Sequence, residues 1–332
     1  MSPQLRGSMA SLGVDPALAE DLDRGMEAVE KHLRDSVRSD YPFVTEASRH
    51  LVDAGGKRFR PLLVLLSARY GDPEAPGVVP AAVVVELTHL ATLYHDDVMD
   101  EAELRRGARS ANARWDNTVA ILTGDFLFAR ASDILADLGP EAVRIQARTF
   151  ERLCTGQIRE TVGPADGVDP VAHHLTVLAD KTGSLIATSC RFGAMLSGAS
   201  DEVVETLTRF GEAIGVAFQL ADDLVDITSD TEQSGKTPGT DLREGVPTLA
   251  GLMALRVADD AVLSDALVRP IVDDGEHAEV LTRLRAHPAL VEARIEARAW
   301  ADRARGELAA LPDGSTTRAL AALCDYVVER TG

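Results

Sequence analysis

The sequence predicts an all-α protein, one large helical bundle. Three observations carry that expectation. Apolar residues recur at three-and-four spacing almost throughout, which is the period of an amphipathic helix. No run alternates apolar and polar residues as a half-buried strand does. Prolines punctuate the chain, yet long stretches such as Val171 to Ser234 contain none. The 332 residues suffice for a large core, and no Ser/Gly/Pro-rich linker divides them. We therefore expect one domain over 1–332, with residues 1–14 loosely ordered.

In chain order the pattern places helices over 15–38, 44–54, 59–71, 77–100, 112–137, 140–162, 169–198, 201–229, 247–256, 258–273, 276–286, 288–310 and 315–331. Gly163–Asp169 and Thr231–Val246 are the longest polar breaks. The second, with its glycines and proline, fits a flap over a site.

The net charge of −19 argues against nucleic acid and against an anionic membrane held by charge alone. Cys154, Cys190 and Cys324 are far apart, with no CxxC or Cys/His cluster, so neither a zinc site nor a disulfide framework is indicated. Met1–Gly13 lacks an apolar signal core, and no apolar run reaches the ~20 residues that span a bilayer. A cytoplasmic location is expected.

The chain is organised around Tyr94-His95-Asp96-Asp97-Val98-Met99-Asp100, which closes the mostly apolar run Val78–Leu93. On a helix Asp96 and Asp100 lie one turn apart on one face, where carboxylates repel. They also sit at the helix C-terminus, where the macrodipole disfavours negative charge. A bound cation resolves both conflicts; a solvated acidic helix end is the plainer alternative. Phe218-Gln219-Leu220-Ala221-Asp222-Asp223-Leu224-Val225-Asp226 repeats the arrangement. Glu86 lies ten residues before Asp96 and Glu212 ten before Asp222, a faint internal duplication that suggests two helices facing each other across a cavity.

Two acidic triads with no accompanying histidine or cysteine cluster favour hard cations on oxygen, and Mg²⁺ over zinc. Basic segments accompany them. Gly55-Gly56-Lys57-Arg58-Phe59-Arg60-Pro61 puts three cations at a helix start, an anion site as an alternative to an exposed basic turn. Arg105-Arg106-Gly107 follows the first triad. Only four of the 34 basic residues are lysine, and Lys57, Lys181 and Lys236 each lie within two residues of a glycine, as compact phosphate-binding charges often do; chance is the plainer alternative. A charged head and a deep apolar pocket together describe a prenyl diphosphate.

These segments, with His89, Gly124-Asp125-Phe126-Leu127, Lys181-Thr182-Gly183, Gly235-Lys236 and Asp241-Leu242-Arg243-Glu244-Gly245, resemble the all-trans isoprenyl (polyprenyl) diphosphate synthases over nearly the whole chain. The resemblance implies an isoprenoid synthase-like fold with a deep central cavity, and a homodimer. It implies that Asp96, Asp100 and Asp222 ligate Mg²⁺, three ions per active site with substrate bound, and that Asp97, Asp223 and Asp226 support or share that duty. Arg105, Lys181 and Lys236 would hold an allylic prenyl diphosphate, and Lys57, Arg60, His89 and Arg106 isopentenyl diphosphate. Thr182 and Gln219 would line the position of the allylic cation; alone, His89 and Gln219 read as satisfied polar residues. The implied reaction is ionisation of the allylic substrate, attack by the isopentenyl double bond and loss of a proton. Two departures stand out. Val246 occupies a place that often holds lysine, and Ala108-Arg109-Ser110 replaces an x-Pro-Thr, which predicts a less rigid loop.

Chain length is read below the first triad. Thr92 and Ala91 are small where, in the family this chain resembles, aromatic residues give short products, and Thr88, Leu87 and Val84 follow. The expectation is a product of C30 or longer for a quinone side chain. Phe126 or Phe128 on a neighbouring helix is the candidate for a floor at four units, and a geranylgeranyl- or farnesyl-length synthase is the alternative. A class I terpene cyclase and a non-catalytic subunit of a two-component synthase are the rival readings. The basic segments count against the first, and the intact triads and lysines against the second.

Overall fold

The computed structural model describes residues 15–228 and 238–329. They are helical almost throughout: α1 Pro16–Ser36, α2 Pro42–Asp53, α3 Phe59–Ala68, α4 Val78–Met99, α5 Ala111–Arg114, α6 Asn117–Leu138, α7 Pro140–Val162, α8 Pro170–Leu178, α9 Ser184–Leu196 and α10 Asp201–Thr228. Then follow α11 Thr240–Glu244, α12 Leu249–Val257, α13 Ala261–Ala266, α14 Asp274–Ala286, α15 Pro288–Glu307 and α16 Ser315–Glu329. The described sheet is one hairpin, β1 Leu104–Arg105 paired antiparallel with β2 Ala108–Arg109. The chain divides into two compact units. Unit 1 holds Met1–Phe150, Leu185–Gly211 and Glu307–Ala322; unit 2 holds Glu151–Ser184, Glu212–Gly306 and Leu323–Gly332.

In unit 1, α4 is the central element, packed against α6 along its length and against α3 and α1. Its residues Val78, Ala81 to Thr88, Leu90, Ala91, Tyr94 and Asp97 are buried. A helix that is apolar nearly all round must be enclosed on most sides. α4 has 22 residues and contains an 18-residue stretch of mean hydropathy 1.3, so by length and composition alone it is long and apolar enough to cross a membrane, where the sequence was expected to hold no such run. Two thirds of that stretch, 67%, is buried inside the protein, as in a core helix. The buried Tyr94 hydroxyl donates to the Ala47 carbonyl at 2.6 Å and ties α4 to α2. α1 starts where Asp15 accepts from Ala17 N and Leu18 N, with Pro16 in the first turn. It buries Leu18, Leu22, Met26, Val29 and Leu33, each contributing about 1.5–3 kcal/mol.

Unit 2 is built on the second half of α10. Val216, Leu220, Leu224 and Ile227 recur at three-and-four spacing and pack with residues of α12 to α15. That stripe leaves Asp222, Asp223 and Asp226 on the half-buried side of the helix.

Most expected helices are present within a few residues, and three regions differ. The helix expected over 169–198 is interrupted by a π turn, Ala179–Gly183. The helix expected from 112 is cut by Asp116, whose side chain caps Val119 N and starts α6 afresh. The helix expected over 258–273 shrinks to Ala261–Ala266, because Asp260 caps its start and Pro270 follows closely.

Candidate diphosphate and metal-binding sites

In unit 1 the first triad ends α4. Asp96 is half-buried, Asp97 fully buried and Asp100 exposed. The open stripe of α4 runs through His89, Thr92, Leu93, Asp96 and Asp100, positions three or four apart. Asp97 points the other way. Its Oδ1 accepts from Arg105 Nε at 2.5 Å, and Arg105 Nη2 stands 3.8 Å from Asp100 Oδ2. Asp97 Oδ2 is buried and accepts no hydrogen bond. Burial raises the Asp97 carboxyl above its usual value, and Arg105 offsets part of that rise.

The hairpin explains how two adjacent arginines reach different partners. Leu104 pairs with Arg109 and Arg105 with Ala108, leaving Arg106-Gly107 as a two-residue turn. Both have positive φ, 54° and 77°, the signature of a type I′ turn. Arg106 is thereby turned back onto the glycine loop, where it donates to Leu51 O at 3.2 Å and to Gly55 O. Gly56 has a φ of 144°, which side-chain-bearing residues rarely adopt, and a Cβ there would press on the Arg106 guanidinium carbon at 2.9 Å, so this position favours glycine. The loop expected to be less rigid is well tied. Ser110 N bonds to Glu103 O at 2.9 Å, and the Ser110 hydroxyl donates to Ala102 O.

Arg58, counted in the sequence as one of three anion-binding cations, has another task. Its side chain is 3% exposed and donates to Glu30 at 2.6 Å, to Glu86 at 2.7 Å and to Val52 O at 3.0 Å. Glu86 also lies 3.9 Å from Arg106. A buried, fully bonded guanidinium is a structural core, not a ligand contact. Lys57 is exposed and Arg60 half-buried. Burial and the guanidiniums of Arg60, Arg106, Arg58 and Arg105 hold the His89 imidazole well below its ordinary value of 6.5, so it is neutral at pH 7.

Of the residues expected to set chain length, Ala91 is 0% exposed and belongs to the core, as do Thr88, Leu87 and Val84. Thr92, Phe126 and Phe128 are half-buried. Thr92, four before Asp96, shares its face. Phe128 packs on Phe150 with centroids 4.2 Å apart and lies 6.1 Å from His95. His95 comes so close to α6 that a Cβ on Gly124 would stand 2.3 Å from its Nε2, which gives that glycine a reason.

In unit 2 the π turn presents Lys181, whose Nζ lies 2.5 Å from Glu160 Oε2. One-turn π bulges recur at functional sites because they re-aim side chains. Asp180 anchors the turn, accepting from Arg152 at 2.9 Å and from Arg159. Gly156 lets α7 approach it, since a Cβ there would be 2.7 Å from Lys181 N. Thr182, buried, donates to Gln219 Oε1 at 3.1 Å, and Gln219 Nε2 donates to Asp223 Oδ1 at 3.0 Å. Asp226 Oδ1 accepts from Thr240 N at 3.2 Å and Oδ2 from Asp241 N at 3.1 Å, so this carboxylate starts α11. Asp222 is half-buried beside it. Val246 packs in a small apolar recess with Leu242, Leu252 and Leu267. Lys236 lies outside the described residues.

The sequence reading missed Glu160, Asp180, Arg152 and His174; charge at helical spacing was their only signal. Among the described residues no three His, Cys, Asp or Glu groups already converge as a metal site. The donor chemistry nevertheless fits Mg²⁺, which takes one or two carboxylates and completes its shell with phosphate and water. The unsatisfied Asp97 Oδ2 is a further carboxylate oxygen at the first triad.

A family profile described as polyprenyl synthetase matches residues 41–284. The chain is 52% identical over 321 residues to the nonaprenyl diphosphate synthase of Mycobacterium tuberculosis, covering 96% of each protein. Its fold matches geranylgeranyl pyrophosphate synthase from Corynebacterium glutamicum, a structure complexed with calcium and isoprenyl diphosphate. The TM-score is 0.85 and the identity 46%, over 96% of this chain and 98% of that one. A decaprenyl diphosphate synthase from Rhodobacter capsulatus matches with a TM-score of 0.87 and 35% identity, over 95% and 99%. Two aspartate triads, a basic glycine loop and a lysine-bearing π turn thus occur in a chain that matches such an enzyme over 96% of its length, and the chain belongs to the polyprenyl synthetase family.

Proposed function

We propose that this prenyltransferase condenses isopentenyl diphosphate with an allylic prenyl diphosphate and extends it to an all-trans product of C30 or longer, for a quinone side chain. The observation that carries the length is the small, half-buried Thr92 one turn below Asp96, about 6 Å along the helix. Its relative at 52% identity is a nonaprenyl diphosphate synthase. Geranylgeranyl length is the second reading, favoured by the Phe128–Phe150 stack and by the 46% identity to the Corynebacterium enzyme.

In this reading Asp96, Asp100 and Asp222 hold three Mg²⁺ with the substrates, and Asp97, Asp223 and Asp226 orient neighbouring groups. When bound, Mg²⁺ neutralises the charge that grows on the leaving diphosphate. Arg105, Lys181 and Lys236 grip that diphosphate. Lys57, Arg60, Arg106 and the neutral His89 grip isopentenyl diphosphate and hold its double bond near the allylic carbon. Thr182 and Gln219 turn oxygen atoms toward the allylic cation, and the departing diphosphate takes the final proton. Glu160 covers Lys181 at 2.5 Å and yields when the diphosphate arrives. We further propose a cytoplasmic homodimer. Ile121 and Leu122 of α6, 43% and 61% exposed, support a partner face.

Pure protein with isopentenyl and farnesyl diphosphates, with and without Mg²⁺, tests the reading by mass spectrometry of the product. Mg²⁺-dependent elongation to C30 or beyond is expected. A hydrocarbon product indicates a cyclase, and activity only after a second subunit is added indicates a two-component synthase. Sedimentation at several concentrations tests the dimer.

A further inference from the structure

We propose that His174 is a positioning residue that fixes the amide orientation of Gln219 through Asp223. The inference rests on the prenyltransferase reading for its functional consequence and on unit 2 alone for its geometry. The His174 side chain is 10% exposed, and its Nε2 is buried without a hydrogen bond. That nitrogen faces Asp223 Oδ2 at 3.8 Å. Asp223 Oδ1 accepts from Gln219 Nε2 at 3.0 Å, and Gln219 Oε1 accepts from the Thr182 hydroxyl at 3.1 Å.

The direction of this chain matters. A glutamine amide has nearly the same shape either way round, so only its neighbours decide which end faces where. An ionised carboxylate accepts and cannot donate, so Asp223 draws the NH₂ of Gln219 to itself. The carbonyl oxygen is then left facing Thr182, which is the orientation that suits a developing cation. The reversed amide would present two N–H groups, whose positive ends oppose it. An Asp223 carboxylate that rotates away releases the amide to flip. The His174 ring blocks that rotation, and closing from 3.8 Å to hydrogen-bond length pins Oδ2; such contacts commonly tighten when a site fills. No change of protonation is required, because a neutral imidazole donates through Nε2 when its other nitrogen carries no proton.

The test uses the full chain and the variants H174L, H174Q, Q219L and H174L/Q219L. Glutamine reaches with an N–H to the place of Nε2, whereas leucine keeps bulk without a donor. With isopentenyl and farnesyl diphosphates, H174L is expected to lower kcat about tenfold, the scale of lost outer-layer support, with KM for isopentenyl diphosphate unchanged. H174Q is expected to stay within about threefold, and H174L to cost less than about twofold in the Q219L background. A merely structural role gives the same factor in both backgrounds and is not rescued by H174Q. Independently of turnover, the side-chain amide resonances of Gln219, assigned by their loss in Q219L, should shift and exchange faster in ligand-free H174L but not in H174Q. Unmoved resonances in H174L overturn the proposal whatever the kinetics. If H174L does not fold, H174N, too short to reach Asp223, takes its place with the same expectations. If the wild type gives no elongation, the prenyltransferase reading fails while the amide spectrum still decides the positioning role.

Discussion

The two glutamates that precede the aspartate triads by ten residues should differ sharply in their worth. Glu86 is 2% exposed in its side chain and bonds Arg58, itself 3% exposed, at 2.7 Å; Arg106 lies 3.9 Å away. Glu212 bonds Arg152 at 2.6 Å, but the two side chains are 41% and 39% exposed. Distance alone ranks them equal; burial separates them. Removing one partner of a buried pair leaves the other charge uncompensated, at a cost of about 3–5 kcal/mol. Arg58 keeps Glu30 at 2.6 Å, so the lower end applies to it. Arg106 has no other ion pair among the described residues, and the two guanidiniums would then repel across the lost carboxylate. For Glu86→Ala we expect about 3–5 kcal/mol, or a Tm lowered by roughly 6–10 °C at about 2 °C per kcal/mol in a large chain. Glu212→Ala should cost no more than about 1 kcal/mol, because water screens the exposed pair. Glu86→Gln, which retains a carbonyl acceptor, should fall between. Scanning calorimetry and urea midpoints at matched pH measure all three. Equal losses for Glu86→Ala and Glu212→Ala, or a loss below 1 kcal/mol for Glu86→Ala, would refute the claim that burial sets the value of these pairs.

Three further outcomes follow from the site. His89 has its folded pKa below the ordinary 6.5, so the unfolded chain takes up the proton first as pH falls; stability is held above 6.5 and lost below it, by up to about 1.4 kcal/mol per pH unit. Urea unfolding from pH 7.5 to 5.5 should therefore slope more steeply in wild type than in His89→Gln, and parallel slopes would exclude the His89 contribution. Thr92→Phe should shorten the product by several isoprene units, read by chromatography, while Ala91→Phe should chiefly destabilise by about 1–3 kcal/mol, since Ala91 is in the packed core. Unchanged product length in Thr92→Phe removes that face of α4 as the ruler. Gly124→Ala should also lose about 1–3 kcal/mol of stability, because its Cβ would sit 2.3 Å from His95 Nε2 and the ring must leave Ile121 O; a neutral result in calorimetry would contradict the close approach.

Much of this was legible before any coordinates. The helical class followed from spacing, and α4 and α10 were located with their triads because an apolar run ending in acid at i and i+4 is hard to mistake. Less legible was which member of a charged cluster faces inward. Lys57, Arg58 and Arg60 look alike in the sequence, yet Arg58 is buried on partners 28 residues away on both sides, Glu30 and Glu86, and helical spacing cannot reveal such non-local pairing. The π turn at Ala179–Gly183 was hidden for a related reason. It inserts a single wide turn between two good helices, and the composition around Lys181 does not change. The interruption at Trp115-Asp116 was readable in principle, since Asp116 is a good N-cap, but the apolar pattern ran straight through it.

The distribution of lysine and arginine acquires a physical account from these placements. Buried cationic positions here demand several bonds in fixed directions: Arg58 meets two carboxylates and two carbonyls, and Arg106 two carbonyls and a carboxylate. A planar guanidinium answers that demand, and an ammonium does not. Lys57 is exposed and Lys181 half-buried, each within two residues of a glycine. A flexible stem carrying a compact charge there can leave one partner for another, as Lys181 must leave Glu160 if a diphosphate is to bind. Arginine thus fills the buried cationic positions held by several directed bonds, and Lys57 and Lys181 stand where a compact charge on a flexible stem can change partners.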